Sequence, residues 1–241
     1  MKNRLYQGDC LKFLATLEAQ SIDALITDPP YSSGGLHVGT RQQSPSTKYV
    51  SNGQKTVFSE FIGDNRDQRS QLSWYVLWLS EAYRVLKQGA PVCLFSDWRQ
   101  LPLTTDALQA AGFTWRGIAV WDKTEGVRPQ SGRFRSQAEY IIWGSKEGMP
   151  LSRRAPVLPG VFRHSILRVD KFHMTGKPTA LMRDVVRICE RGGVILDPFA
   201  GSGTTLLAAA LEGYHWQGSE MLEHNVSICH KRLSGLDSSE D

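Results

Sequence analysis

The sequence predicts an α/β fold: a mainly parallel sheet with helices on both faces. Three observations carry this. Short apolar runs of strand length alternate with longer amphipathic stretches. Two of those runs end in tight, stiff turns, Asp28-Pro29-Pro30-Tyr31 and Asp197-Pro198-Phe199-Ala200-Gly201-Ser202-Gly203-Thr204-Thr205. The chain has 241 residues, 41% of them hydrophobic, enough for one well-buried domain spanning 1–241.

Leu5-Tyr6-Gln7 is a short strand ending at Gly8-Asp9. Residues 10–18 read as a helix, because Leu11, Leu14 and Leu17 share one face. Ile22 to Thr27 is a strand that delivers Asp28 at its carboxyl end. Residues 32–70 are rich in Ser, Gly, Gln and Thr; so long a loop is functional and mobile, or plain disorder. Residues 71–87 form an amphipathic helix, with Trp74, Leu77, Trp78, Ala82 and Leu86 at helical spacing and Gly89 to end it. Its aromatic residues suit a core better than a binding stripe. Pro91 to Ser96 is a strand, 100–111 a helix, and Gly117–Trp121 and Ala138–Trp143 two further strands. Residues 148–173 show little regular pattern. A helix over 179–190 precedes the strand Val194–Leu196, a helix runs from Ser202 to Leu211, a strand ends at Glu220, and 222–233 form a last helix.

No run approaches the roughly 18 apolar residues of a membrane span, and the amino terminus lacks the apolar stretch of a signal peptide. Cys10, Cys93, Cys189 and Cys229 lie far apart with no CxxC pair, so they are expected to be small buried hydrophobes in a reducing cytoplasm, with no metal site. The formal charge of +4 is unevenly spread: residues 123–187 hold thirteen Lys and Arg against five Asp and Glu. A basic middle suits a polyanion, or is merely a solvated Arg-rich surface.

Val194 to Thr205 reads as strand, Gly-rich turn, helix. Gly201 and Gly203 would let the backbone approach a ligand where a Cβ would clash. The first amides of the next helix suit a carboxylate or phosphate. The string is neither GxGxxG nor GK[ST], which disfavours a nucleoside triphosphate. Glu220, ending the next strand, can accept bonds from two ribose hydroxyls.

Here the chain resembles the amino-group DNA methyltransferases. The resemblance implies a Rossmann-like S-adenosylmethionine-dependent methyltransferase fold with a seven-stranded sheet. It implies that Asp197, Pro198, Phe199, Gly201, Ser202, Gly203, Thr204 and Thr205 line the cofactor pocket and that Glu220 holds the ribose. His173-Met174-Thr175-Gly176-Lys177-Pro178 resembles the family's "KP" element, so Lys177 faces the cofactor carboxylate or is a solvated lysine. Gly8-Asp9, with Cys10, resembles the element that meets the cofactor's adenine. Glu81 to Lys87 before a Gly and a strand, and Phe134-Arg135 leading to Glu139-Tyr140-Ile141, match the same family. Asn225 departs from it, since relatives often have an aromatic residue there.

Asp28-Pro29-Pro30-Tyr31 then has a chemical logic. An adenine amine is a poor nucleophile because its lone pair is delocalised into the ring. Asp28 and the Pro29 carbonyl can each accept one of its hydrogens and aim the lone pair at an incoming methyl. Two prolines stiffen the turn, so the acceptors are aimed beforehand. Tyr31 offers a face for an extruded base. Asp at the first position is typical of adenine-N6 enzymes in this family, Ser of cytosine-N4 ones. Ring-carbon methylation needs a nucleophilic cysteine, usually after proline, and no cysteine here follows proline.

The order of the motifs resembles the beta group, a circular permutation of the fold. The resemblance implies methylation of double-stranded DNA with no metal, in a restriction-modification setting, and leaves a homodimer open. It places target recognition in residues 123–173, where Arg128, Arg133, Arg135, Arg153, Arg154, Arg163 and Arg168 are candidate DNA contacts. The alternatives are cytosine-N4 methylation, methylation of RNA or a protein amide, and a catalytically idle DNA-binding protein.

Overall fold

The computed structural model describes residues 3–32, 66–166 and 176–237. Most of the 32–70 segment, His173 to Thr175 and Arg168 lie outside the described residues. In chain order the elements are β1 (Arg4–Gln7), α1 (Cys10–Ala15), β2 (Ala24–Thr27), α2 (Gln68–Val85), β3 (Pro91–Ser96), α3 (Leu101–Ala110), β4 (Thr114–Asp122), β5 (Ala138–Ser145), β6 (Val161–Arg163), α4 (Thr179–Val186), β7 (Val194–Asp197), α5 (Thr204–Leu211), β8 (His215–Glu220) and α6 (Glu223–Asp237).

The eight strands form one sheet in the order β1-β8-β7-β2-β3-β5-β4-β6. Strands β1, β8, β7, β2 and β3 are parallel, and β5 alone is reversed, antiparallel to both β3 and β4. Seven of these strands are the seven expected. The eighth, β6, adds beside β4 at the edge, in a stretch that reads as irregular in sequence. Three residues are too few to show an alternating pattern.

Alternation along the central strands creates two cores. Leu25, Val92, Leu94 and Leu196 face one side, packed with Phe13, Trp78, Leu79 and Leu108 from α1, α2 and α3. Ala24, Ile26, Cys93, Phe95 and Ile195 face the other, packed with Leu181, Val185, Leu206 and Cys229 from α4, α5 and α6. Burial on both faces explains why β2, β3 and β7 are apolar up to their last residue. All four cysteines are buried and free.

Two helix starts, those of α1 and α2, follow side-chain caps. Asp67 accepts from the amides of Arg69 and Ser70 and starts α2 three residues earlier than apolar spacing suggests. Asp9 caps α1 through the amides of Leu11 and Lys12, at 3.0 and 3.2 Å. At the other end, α4 stops at Val186, short of the expected residue 190. Among the described residues no helix is long and apolar enough to cross a membrane.

Candidate active site

Four adjacent parallel strands, β1, β8, β7 and β2, end on the same side of the sheet. Their carboxyl ends carry Gly8-Asp9, Glu220, the Asp197–Gly203 loop and Asp28. Early β2 and late β7 are direct neighbours, with Leu25 opposite Leu196. Two strings far apart in sequence therefore meet, as ligand sites in open α/β sheets do. The reversed strand β5 begins on that side too and brings Glu139 to it.

A cavity of about 240 Å³ opens there. Its walls include Asp28, Pro29, Pro30 and Tyr31 together with Asp9, Cys10, Lys177, Asp197, Pro198, Phe199, Gly201, Ser202, Thr204, Thr205 and Glu220. Gly203 does not line it. A Cβ on Gly203 would stand 2.2 Å from the Cys229 sulfur, so this glycine admits α6 rather than a ligand. A Cβ on Gly201 would meet nothing within 4 Å.

The loop is held from several sides. The Gly201 amide donates to Glu220 Oε2 at 3.0 Å, while Glu220 Oε1 accepts from the Leu222 amide at 2.9 Å and Asn225 at 3.2 Å. Arg232 of α6 donates to the Ser202 carbonyl at 2.8 Å and the Thr204 hydroxyl at 2.9 Å. No motif flags Arg232; only its distance in space from the loop reveals it. Phe199 sits edge-on against Trp74 and Trp78, fixing the loop to α2. Arg66, which the sequence does not single out, lies 4.2 Å over the Trp74 ring and also lines the cavity.

Asp197 bridges the two central strands. It accepts from Thr27 Oγ1 at 2.6 Å and the Phe199 amide at 3.1 Å. Burial pushes its carboxyl up to about 6, against the opposing pull of those hydrogen bonds. Its folded pKa is thus above the unfolded one, so the native state binds more protons between them, and stability falls as pH rises from about 4 to 6. Asp197→Asn keeps an acceptor oxygen and removes this titration. Urea unfolding of both proteins is expected to show the wild type losing roughly 2–3 kcal/mol relative to the variant across that window. A constant difference would contradict it.

The turn after β2 is anchored as tightly. The Pro30 carbonyl accepts from Gln71 at 2.7 Å and Tyr75 at 3.0 Å, both from α2. Asp28 takes Lys177 on one carboxylate oxygen and the Tyr31 hydroxyl on the other. Lys177 also pairs with Glu139 at 2.9 Å, and Glu139 with Lys123 at 2.7 Å. Asp28, Lys177, Glu139 and Lys123 thus form a chain of alternating charge with no net charge. Burial would push Lys177 down, yet Asp28 and Glu139 outweigh it and hold the ammonium up at about 12. Lys177 is therefore not a solvated lysine: it is buried against the turn at Asp28 and stands in the cavity wall.

The candidate arginines divide. Arg128, Arg133, Arg154 and Arg163 are exposed. Arg163 pairs with Glu125 at 3.1 Å, and Arg133 bonds Gln130. Arg135 and Arg153 spend their guanidiniums on the chain's own carbonyls: Arg135 on Glu125 and Val127, Arg153 on Ile188. Arg135 thus closes the 123–173 segment on itself, while Arg153 ties it to the chain just after α4.

Known proteins share the family pattern and the fold of this chain. A family model described as DNA methylase, of the N6/N4 type, matches residues 22–231. A methylase candidate from Escherichia coli K12, YubD, is 28% identical over 97% of this chain and 91% of its own length. Among solved structures, the complex of M1.HpyAVI with S-adenosylmethionine superposes with a TM-score of 0.67 at 21% identity, over 95% of this chain and 98% of that one. The cytosine-N4-specific PvuII DNA methyltransferase does so with a TM-score of 0.68 at 18% identity, over 96% and 86%.

Proposed function

The chain belongs to the N6/N4 DNA methylase family, and we propose that within it the enzyme moves a methyl group from S-adenosylmethionine to the N6 amine of adenine in DNA. One observation supports this most: a single cavity has the Asp28–Tyr31 turn in one wall and the Asp197–Thr205 loop in the other. The M1.HpyAVI complex holds S-adenosylmethionine on the same fold.

The residues fit that cofactor. Gly201 leaves open space toward the cavity, Glu220 and Asp9 bring carboxylates to one end, and the loop before α5 brings polar groups. When bound, the sulfonium supplies an activated methyl, so no covalent enzyme intermediate is needed. The chain's task is positioning. Asp28 and the Pro29 carbonyl accept the two amine hydrogens and aim the nitrogen lone pair. Tyr31 stacks on the extruded base. As the nitrogen–carbon bond forms and the carbon–sulfur bond breaks, positive charge moves from sulfur to nitrogen, beside Asp28. The methylated nitrogen then gives a proton to solvent by way of Asp28, which completes the transfer. Of the candidate arginines, Arg128, Arg133, Arg154 and Arg163 are the exposed ones among the described residues and serve DNA contact best.

Asp28 at the head of the turn favours adenine. Cytosine-N4 methylation is the second reading, favoured by the likeness to the PvuII enzyme. Synthetic duplexes incubated with the enzyme and labelled cofactor, then digested to nucleosides for mass analysis, are expected to yield N6-methyladenine. N4-methylcytosine alone would select the second reading.

A further inference from the structure

Tyr31 stands between two carboxylates. Its hydroxyl is within hydrogen-bond reach of Asp28 Oδ1 and, at 3.0 Å, of Glu139 Oε1. Lys177 donates to the same phenol oxygen at 3.3 Å. A hydroxyl has one hydrogen to give, so the bonds to Asp28 and to Glu139 are alternatives. Burial first, then Asp28 and Glu139, push the Tyr31 pKa well above its ordinary value, so that hydrogen stays on the phenol.

Glu139 is made for the role of second acceptor. It is 8% exposed and fixed at the start of β5. Burial would push its carboxyl up, but Lys177 and then Lys123 hold it down at about 2. It is therefore a full carboxylate at any working pH. The two lysines are held in turn, Lys177 over the Phe95 ring at 5.1 Å and Lys123 over Trp121 at 5.0 Å.

Methyl transfer asks Asp28 to accept from the base amine. In this structure both Asp28 oxygens already accept, one from Lys177 and one from Tyr31. An oxygen that serves Tyr31 is a weaker and more crowded acceptor for the amine. We propose that Glu139 is a positioning residue for methyl transfer: it takes over the Tyr31 hydroxyl when a base amine reaches Asp28, and so leaves Asp28 to the amine. The exchange needs only a turn of the phenol hydrogen about its C–O bond, because both acceptors are already in reach. The Tyr31 ring need not move from its place beside the base. This rests on the reading of Asp28 as the amine's acceptor and holds for an N6 or an N4 amine alike.

A double-mutant cycle tests it. Glu139→Gln leaves one oxygen for three donors, and the two ammoniums take it ahead of the phenol. On the duplex that the wild type methylates, Glu139→Gln is expected to lower kcat about tenfold with the DNA KM within threefold. In a Tyr31→Phe background, which has no hydroxyl to park, the same change is expected to cost less than twofold. S-adenosylhomocysteine binding by calorimetry, within twofold of wild type, checks the fold. Glu139→Asp keeps the charge for both lysines but withdraws the acceptor by one methylene; it gives the same pair of ratios if the Gln variant does not bind. Equal losses in both backgrounds would overturn the proposal, since Glu139 would then act only by holding the lysines. Absence of methyl transfer by the wild-type chain to any DNA amine would instead overturn the proposed function, and this proposal with it.

Discussion

Asp28→Ala is expected to lower kcat for DNA methylation about 10³-fold while S-adenosylhomocysteine binds within roughly threefold of wild type. Loss of one preorganised hydrogen-bonding group at a reacting centre costs about 10²–10³. Two features of this site place the expectation at the top of that range. Asp28 is the carboxylate nearest the nitrogen on which positive charge develops under the proposed chemistry. Removing it also leaves the Lys177 ammonium as the neighbouring charge, still fixed by Glu139 at 2.9 Å. The variant thus replaces attraction by repulsion at the developing charge. Asp28→Asn retains an oxygen acceptor without the charge and is expected to lose less, about 10²-fold. The cofactor side should be unaffected, because Gly201, Glu220 and Asn225 bond one another and not Asp28. Single-turnover methylation beside calorimetry separates the two effects. Wild-type methylation by Asp28→Ala would remove Asp28 from the chemistry.

Elements with a strong local signal were legible from the chain. Strand β3 falls on Pro91–Ser96 as its apolar run implies, and the juxtaposition of Asp28 with the Asp197 loop follows from placing both after buried parallel strands. What escaped depends on groups meeting across the fold. Glu139 reads as part of a family signature, yet its work is to bind Tyr31, Lys177 and Lys123, which stand 108, 38 and 16 positions away. Arg232 is one more charged residue on a terminal helix until α6 lies against the loop. An arginine that meets a phosphate and one that closes its own loop, as Arg135 does, have the same local sequence character. Strand β6 exists because β4 offers an edge, not because Val161-Phe162-Arg163 insists on being extended.

The two glycines of the loop make the same point and separate experimentally. Gly203→Ala is expected to lower the melting temperature by roughly 4–16 °C. The new Cβ would lie 2.2 Å from the Cys229 sulfur and 3.0 Å from its Cβ, at a residue whose φ is +82°. Cys229 is fully buried on α6 and has nowhere to go. Overpacking of this kind costs about 1–3 kcal/mol, the left-handed backbone adds about 1 kcal/mol, and each kcal/mol moves the midpoint of a chain this size by about 2–4 °C. Cys229→Ala removes the sulfur and is expected to restore roughly half of the loss. Gly201→Ala faces only the backbone term, since its φ is +53° and nothing stands within 4 Å of its Cβ. It should melt within about 4 °C of wild type. Its Cβ would project where no protein atom stands, in the wall of the cavity, so S-adenosylhomocysteine affinity is expected to fall more than tenfold. The melting loss therefore belongs to Gly203 and the binding loss to Gly201. Calorimetry and thermal unfolding on both variants would read the two out separately, and a reversed pattern would mean that Gly203, not Gly201, faces the ligand.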